Sequence, residues 1–306
     1  MKKCTIALLF SGLLLSTANA ADIGTSYKSP ILAPVAARDW TGLYGGVNVG
    51  YGFGAGGRDN GGQTANANNN PAGPADFYLF GVGGPAWNSS NDLKGVLGGI
   101  QFGYNRQLSK DFVAGVETDF QFSGLSGDGG GSQTTEITLS PALPGLPDPL
   151  YWPLSGTARA TQKINGWGTL RGRLGVTSFD QSLLVYGTGG LAYGQVKQNF
   201  TYVSGFLPNP LPPYNFSGTN STGTASSTKT QIGWVLGAGL EWAPVSMPNW
   251  SFKAEYLYVN LGSTTVNLTA PAFRNSDGDG NRTVSASNRM DAAFQTVRVG
   301  VNYRFN

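Results

Sequence analysis

The last ten residues, VRVGVNYRFN from Val297 to Asn306, carry an apolar side chain at every second place. Val297, Val299, Val301, Tyr303 and Phe305 share one parity, while Arg298, Gly300, Asn302 and Arg304 share the other. Alternate side chains of an extended chain point to opposite faces, so the segment is a strand with one greasy and one polar side. Whichever solvent meets the greasy side decides the fold.

The other end narrows the choice. Lys2 and Lys3, the apolar run Cys4 to Leu15 and the small-residue site Ala18-Asn19-Ala20 predict a secretory signal peptide over residues 1–20. The run is too short to span a bilayer, and Cys4 sits too early for lipid attachment at the cut. Cys4 is also the only cysteine, so the processed chain has no disulfide framework and no thiolate metal site. Removing Lys2 and Lys3 from the 20 basic residues leaves 18 against 17 acidic, a net charge of about +1. That balance implies no nucleic-acid partner.

Charged residues make up 12% of the chain, against roughly 25% in soluble domains. Glycine, at 46 of 306, is about twice as frequent as usual. Beyond the leader no continuous apolar run reaches the roughly 18 residues of a spanning helix. A closed barrel of amphipathic strands is the remaining way for an exported, charge-poor chain to face lipid.

The terminal pattern recurs seven times upstream. The first copy, WTGLYGGVNVGYGF, places Leu43, Val47, Val49, Tyr51 and Phe53 opposite Tyr44, Asn48 and glycines. The second sets Val96, Ile100, Phe102 and Tyr104 against Gln101, Gly103 and Asn105. The third sets Phe112, Ala114, Val116, Phe120 and Phe122 against Glu117, Asp119 and Gln121. In the fourth, Ile164, Leu170, Leu174 and Val176 oppose Asn165, Arg171 and Arg173. The fifth is apolar on both parities, with Leu183, Val185, Leu191 and Tyr193 assigned outward. The sixth sets Ile232, Trp234, Leu236, Ala238, Leu240 and Trp242 against glycines and Glu241, and the seventh sets Trp250, Phe252, Ala254, Tyr256 and Tyr258 against Lys253 and Glu255.

Connectors alternate between short (LSKD, TSFDQ, APVSMPN) and long: about Gly54 to Asp92, Gly124 to Lys163, Lys197 to Lys229 and Gly262 to Ala293. The predicted fold is all-β: an eight-stranded antiparallel transmembrane up-and-down β-barrel with short periplasmic turns and four long extracellular loops. Residues 21–39 read as a periplasmic N-terminal segment and 40–306 as the barrel domain. A secreted β-sandwich would also alternate, but its polar face would meet water and carry many more charges. Here that parity mixes glycine with a few ions of both signs, as a tight barrel interior requires.

The interior ions are Glu117, Asp119, Arg171, Arg173, Glu241, Lys253, Glu255, Arg298 and Arg304. Counted from the periplasmic turns, Glu117 lies five residues from Phe112 and Arg171 five from Val176, so these two neighbouring-strand ions lie at one depth. Buried ions persist only when paired, so the expectation is an ion-pair network that plugs the lumen. Trp242, Trp250, Tyr303 and Phe305 fall near the predicted periplasmic rim as an aromatic girdle, with lipid on the greasy face. Phe305 also suits the terminal aromatic read by the barrel-assembly machinery, although Asn306 follows it.

WTGLYGGVNVGYGFG, YGTGGLAYG and VRVGVNYRF together resemble alphaproteobacterial outer-membrane surface antigens, the RopB-like β-barrel family, over Trp40 to Phe305. The resemblance implies an abundant outer-membrane protein set among lipid and lipopolysaccharide, surface-exposed as an antigen, with a role in envelope integrity. Some relatives bind haem. The absence of histidine leaves only tyrosine ligation or stacking on Trp87 and Trp152 for that ligand, and removes His-dependent catalysis and imidazole metal sites. Gly52, Gly54 and Gly57 form G-x-G-x-x-G without a following helix, so no dinucleotide site is read there. NSDGDG offers Asp277 and Asp279 as weak metal candidates, but the twelfth loop position is Ala286 rather than glutamate. The expectation is a non-enzymatic structural barrel and surface antigen without a cofactor. A small porin or diffusion channel, and loops that bind haem or a host ligand, are the alternatives.

Overall fold

The computed structural model describes residues 38–67, 82–139, 150–178, 180–206, 209–211, 214–216, 220–272 and 282–305. The leader, most of the segment preceding the barrel, and Asp277 and Asp279 lie outside them. Twelve strands are described: β1 (Gly42–Gly54), β2 (Gly57–Ala67), β3 (Val82–Asn91), β4 (Gly95–Gln107), β5 (Phe112–Leu139), β6 (Leu150–Ser178), β7 (Leu183–Phe206), β8 (Asn209–Leu211), β9 (Tyr214–Phe216), β10 (Asn220–Trp242), β11 (Trp250–Ala272) and β12 (Arg282–Arg304).

Eight of them form one antiparallel ring in the order β1-β4-β5-β6-β7-β10-β11-β12, and the last pairs back to the first. The closing ladder runs from Tyr44 opposite Arg304 to Gly54 opposite Phe294. The C-terminal strand is therefore paired on both sides, to β1 and to β11, which leaves no free edge at this level.

The ring has two sections of opposite polarity. In the lower one, apolar side chains face outward: Ile232 is 76% exposed and Phe122 69%. A water-soluble fold would bury such residues, whereas here the inward parity holds Gln101, Glu117, Arg171 and Arg298. From Leu43 to Phe53 ten residue steps of about 3.3 Å, tilted about 40°, rise about 25 Å, the height of a lipid-facing band. Above it the pattern inverts. Ala158, Phe200, Tyr202, Val266, Leu268 and Met290 face inward around Trp87, while Arg159, Lys197, Asn267 and Arg289 face out.

The predicted long loops are thus largely strand in their described parts, because β5, β6, β7, β10, β11 and β12 all continue past the band. Their Ser-, Thr- and Gly-rich outward faces give that stretch the composition of a loop. Register shifts between Phe122 and Leu125 and between Ile164 and Gly166 mark where the two sections meet. They overturn one parity assignment: Ile164, expected outward, is fully buried, and Asn165, expected inward, is exposed. A bulge advances one strand by a residue and so swaps its faces.

β1 and β4 stop at the top of the band. Between them the chain turns at Gly56, with φ +75°, and folds into the β2–β3 hairpin, whose β2 pairs with the upper half of β12. The chain rejoins β5 through a bridge from Lys94 to Ser126.

Candidate functional site

The lower lumen is filled by ions. β5 supplies Glu117 and Asp119, β6 Arg171 and Arg173, β10 Glu241, β11 Lys253 and Glu255, and β12 Arg298; all are at most 4% exposed. Glu117 and Arg171 are direct cross-strand partners, as are Glu241 and Lys253, and Glu255 and Arg298. Four carboxylates face four cations, so the cluster is neutral as a whole.

Among the described residues, half of the ion pairs join strands that are not neighbours and so cross the lumen, and half follow the wall. Arg171 pairs with Glu117, with Asp119 at 2.9 Å and with Glu255 at 3.0 Å. Arg173 reaches Glu241 at 2.6 Å and Glu117 at 3.3 Å. The Lys253 ammonium lies 2.8 Å from Glu117, and Arg298 bridges Asp119 at 2.8 Å and Glu255 at 2.5 Å. Neutral donors add to the shell. The Tyr44 hydroxyl donates to Glu117 at 2.6 Å, Tyr186 to Glu255 at 2.9 Å, Thr169 to Asp119 at 2.9 Å and Ser251 to Glu241 at 2.5 Å. The Arg173 guanidinium also lies 4.0 Å from the centre of the Tyr186 ring. Every ion has at least one oppositely charged partner, which is what makes burial tolerable, while Asp119 Oδ1, Arg171 Nε, Arg173 Nε and Arg298 Nη1 are buried without a hydrogen bond among the described residues.

Apolar layers sit below and above. At the base Trp40, Val113, Leu184, Tyr186 and Ala243 pack together, with the Trp40 indole N–H donating to the Gln181 carbonyl at 2.9 Å. Above the ions Trp167 packs edge-on against Phe294 among Leu97, Ile164, Val235 and Leu257. Higher still, Trp87 stacks with Phe200 and Tyr202 at 5.8 and 5.4 Å and donates to Asn288 at 2.8 Å. Trp87, read from sequence as a loop aromatic, is a core residue because the β2–β3 hairpin carries it inside.

Arg304 stands apart from the network assigned to it. It lies on the inward parity but at the rim, and its guanidinium donates to the backbone carbonyls of Asp39 and Pro248. Beside it, burial and the charge of Arg304 pull the Arg38 guanidinium down to about 10. The girdle residues are exposed on the outer wall at the same end. Trp242 stacks on Phe252 at 5.9 Å, and Tyr303 meets Trp250 at 5.1 Å and Phe305 at 5.5 Å, both edge-on. Sequence reasoning missed Tyr186, since the fifth strand is apolar on both parities. It left Tyr44 without a role, though its place on the polar parity was the available signal.

A closed ring of eight strands with an apolar outer band and an ion-filled interior defines an outer-membrane β-barrel protein. The chain belongs to the outer membrane protein beta-barrel domain family, whose profile matches residues 8–305. It is 34% identical over 304 residues to the 31 kDa outer-membrane immunogenic protein of Brucella melitensis, covering 99% of this chain and 100% of the relative. A 22 kDa outer membrane protein of Rhizobium leguminosarum is 28% identical over 209 residues, 66% of this chain and 72% of that one. The crystal structure of OprG from Pseudomonas aeruginosa aligns with 88% of this chain and 99% of its own at 11% identity and a TM-score of 0.38. The protein is thus an outer-membrane protein with immunogenic outer-membrane relatives.

Proposed function

We propose that this barrel is closed to solutes and serves the envelope as a non-enzymatic structural element that displays its upper section as a surface antigen. The observation that carries the reading is the filling of the lumen: a neutral ion network between apolar layers, with rings and guanidinium groups spanning from wall to wall. A diffusion channel needs a continuous watery path, and larger barrels keep one where eight strands leave room only for side chains. The similarity to an immunogenic outer-membrane protein of Brucella supports the display role. Lipid and lipopolysaccharide form its surroundings, and the Tyr303 and Phe305 ending is the feature that the barrel-assembly machinery would engage.

The test is single-molecule conductance of the purified barrel in planar bilayers. Bilayers should stay at baseline after insertion is verified by heat-modifiable gel mobility. Steady, large openings from the wild-type protein would refute the closed reading.

A further inference from the structure

We propose that the outer wall carries a binding site for phosphorylated lipid headgroups of the outer leaflet, built from Lys94, Lys163 and Lys197; this rests on the membrane placement given above. Strand register puts the three on one line across the barrel. Lys94 bridges Ser126, Ser126 pairs with Lys163, Lys163 with Lys197, and Lys197 with Thr228. All five residues are exposed, so the row faces outward.

Two lysines directly opposite each other on neighbouring strands repel, an arrangement that calls for a shared counter-ion. Among the described residues, the ion pairs within 4.0 Å all belong to the lumen, and none involves these three ammonium groups. The exposed carboxylates of Asp92 and Asp128 each lie two residues further from the apolar band, so the row turns its positive edge toward lipid. That edge is close. Val96 lies two residues below Lys94, Phe122 four below Ser126 and Tyr193 four below Lys197, all three exposed.

A lysine at this height rests its methylene stem on the apolar wall and holds its charge at the headgroup level. Neighbouring strands lie about 4.8 Å apart, so Lys163 and Lys197 converge on one phosphate and Lys94, two strands away, reaches a second about 10 Å off. Exposed Asn165 and Gln195 beside them add amide donors for sugar hydroxyls. The β12–β2 wall has a different character, since Asp291 there accepts the Arg58 backbone N–H. The chemistry selected is an acylated sugar bearing two phosphates, held on one side of the barrel.

The test uses the full processed chain folded into phosphatidylcholine vesicles with and without bis-phosphorylated lipid A, folding being checked by heat-modifiable mobility. Lipid A retained by the extracted barrel is quantified by native mass spectrometry. K94Q/K163Q/K197Q should weaken retention about a hundredfold, about fivefold per lysine, whereas R58Q/R289Q on the β12–β2 wall should leave it unchanged. Dephosphorylated lipid A should not be retained, and inorganic phosphate should not displace the lipid. Retention by the triple variant equal to wild type overturns the proposal, as does displacement by inorganic phosphate, which would mark a free-anion site. A wild-type chain that never enters the vesicles overturns the membrane reading and this proposal with it.

Discussion

Glu117→Gln would leave the lower lumen with four cations and three carboxylates while barely changing its volume. The loss does not fall evenly. Arg171 keeps Asp119 at 2.9 Å and Glu255 at 3.0 Å, and Arg173 keeps Glu241 at 2.6 Å. Lys253 loses its 2.8 Å partner and within 4.0 Å retains only Glu255, at 3.9 Å, with Glu241 opposite it on β10. Stranding one buried charge costs about 3–5 kcal/mol, and the partial compensation from Glu255 places this case near the lower end, about 3 kcal/mol. With a urea slope of about 2 kcal/mol per molar, the unfolding midpoint should drop by about 1.5 M. E117Q/K253M restores neutrality and should recover at least about 2 kcal/mol of the loss, because both the charge and the group that needed it are gone. Reversible folding in detergent, followed by heat-modifiable mobility across a urea series, measures both. An E117Q midpoint equal to wild type, or a double variant less stable than the single, would refute the account of the lumen as a charge-balanced unit.

Other outcomes follow from the same geometry. Gly190→Val should abolish folding, since a Cβ there meets the Leu170 carbonyl and lies 2.8 Å from the Arg171 Cα; Gly187→Ala, with open space around it, should fold as wild type in the same mobility assay. In the upper section burial, with neither carboxylate oxygen hydrogen-bonded among the described residues, raises the Asp59 carboxyl above its ordinary value. A raised folded-state value means that the stabilising protonated form is fully present below the unfolded value of about 4 and is lost as pH climbs through the folded one. Asp59→Asn should therefore raise the unfolding temperature at pH 7 and give no such gain at pH 3, where wild-type Asp59 is already neutral. An equal gain at both pH values would count against this.

The eight-strand ring was legible because each strand below the bulges keeps a period of two, with lipid on one side. A single strand such as VRVGVNYRF already states which parity is apolar. Parity also told which ions face inward, and counting from the periplasmic turns put Glu117 level with Arg171. Ile164 escaped because a bulge is a property of two paired strands and leaves no mark in one of them. Arg304 escaped because parity names a face and says nothing of where the lumen ends. The upper section read as loop because Ser, Thr and Gly facing water look alike in a strand and in a turn.

By itself, then, the sequence determined that this chain alternates over eight segments and that nearly all the charges of those segments lie on the face away from lipid, both of which are local facts of spacing along one strand. Only the closed ring decided which charges meet. Arg171 with Glu255, Lys253 with Glu117 and Arg298 with Asp119 join residues on strands that are not neighbours. Such contacts depend on the curvature and width of the barrel, set by all eight strands together.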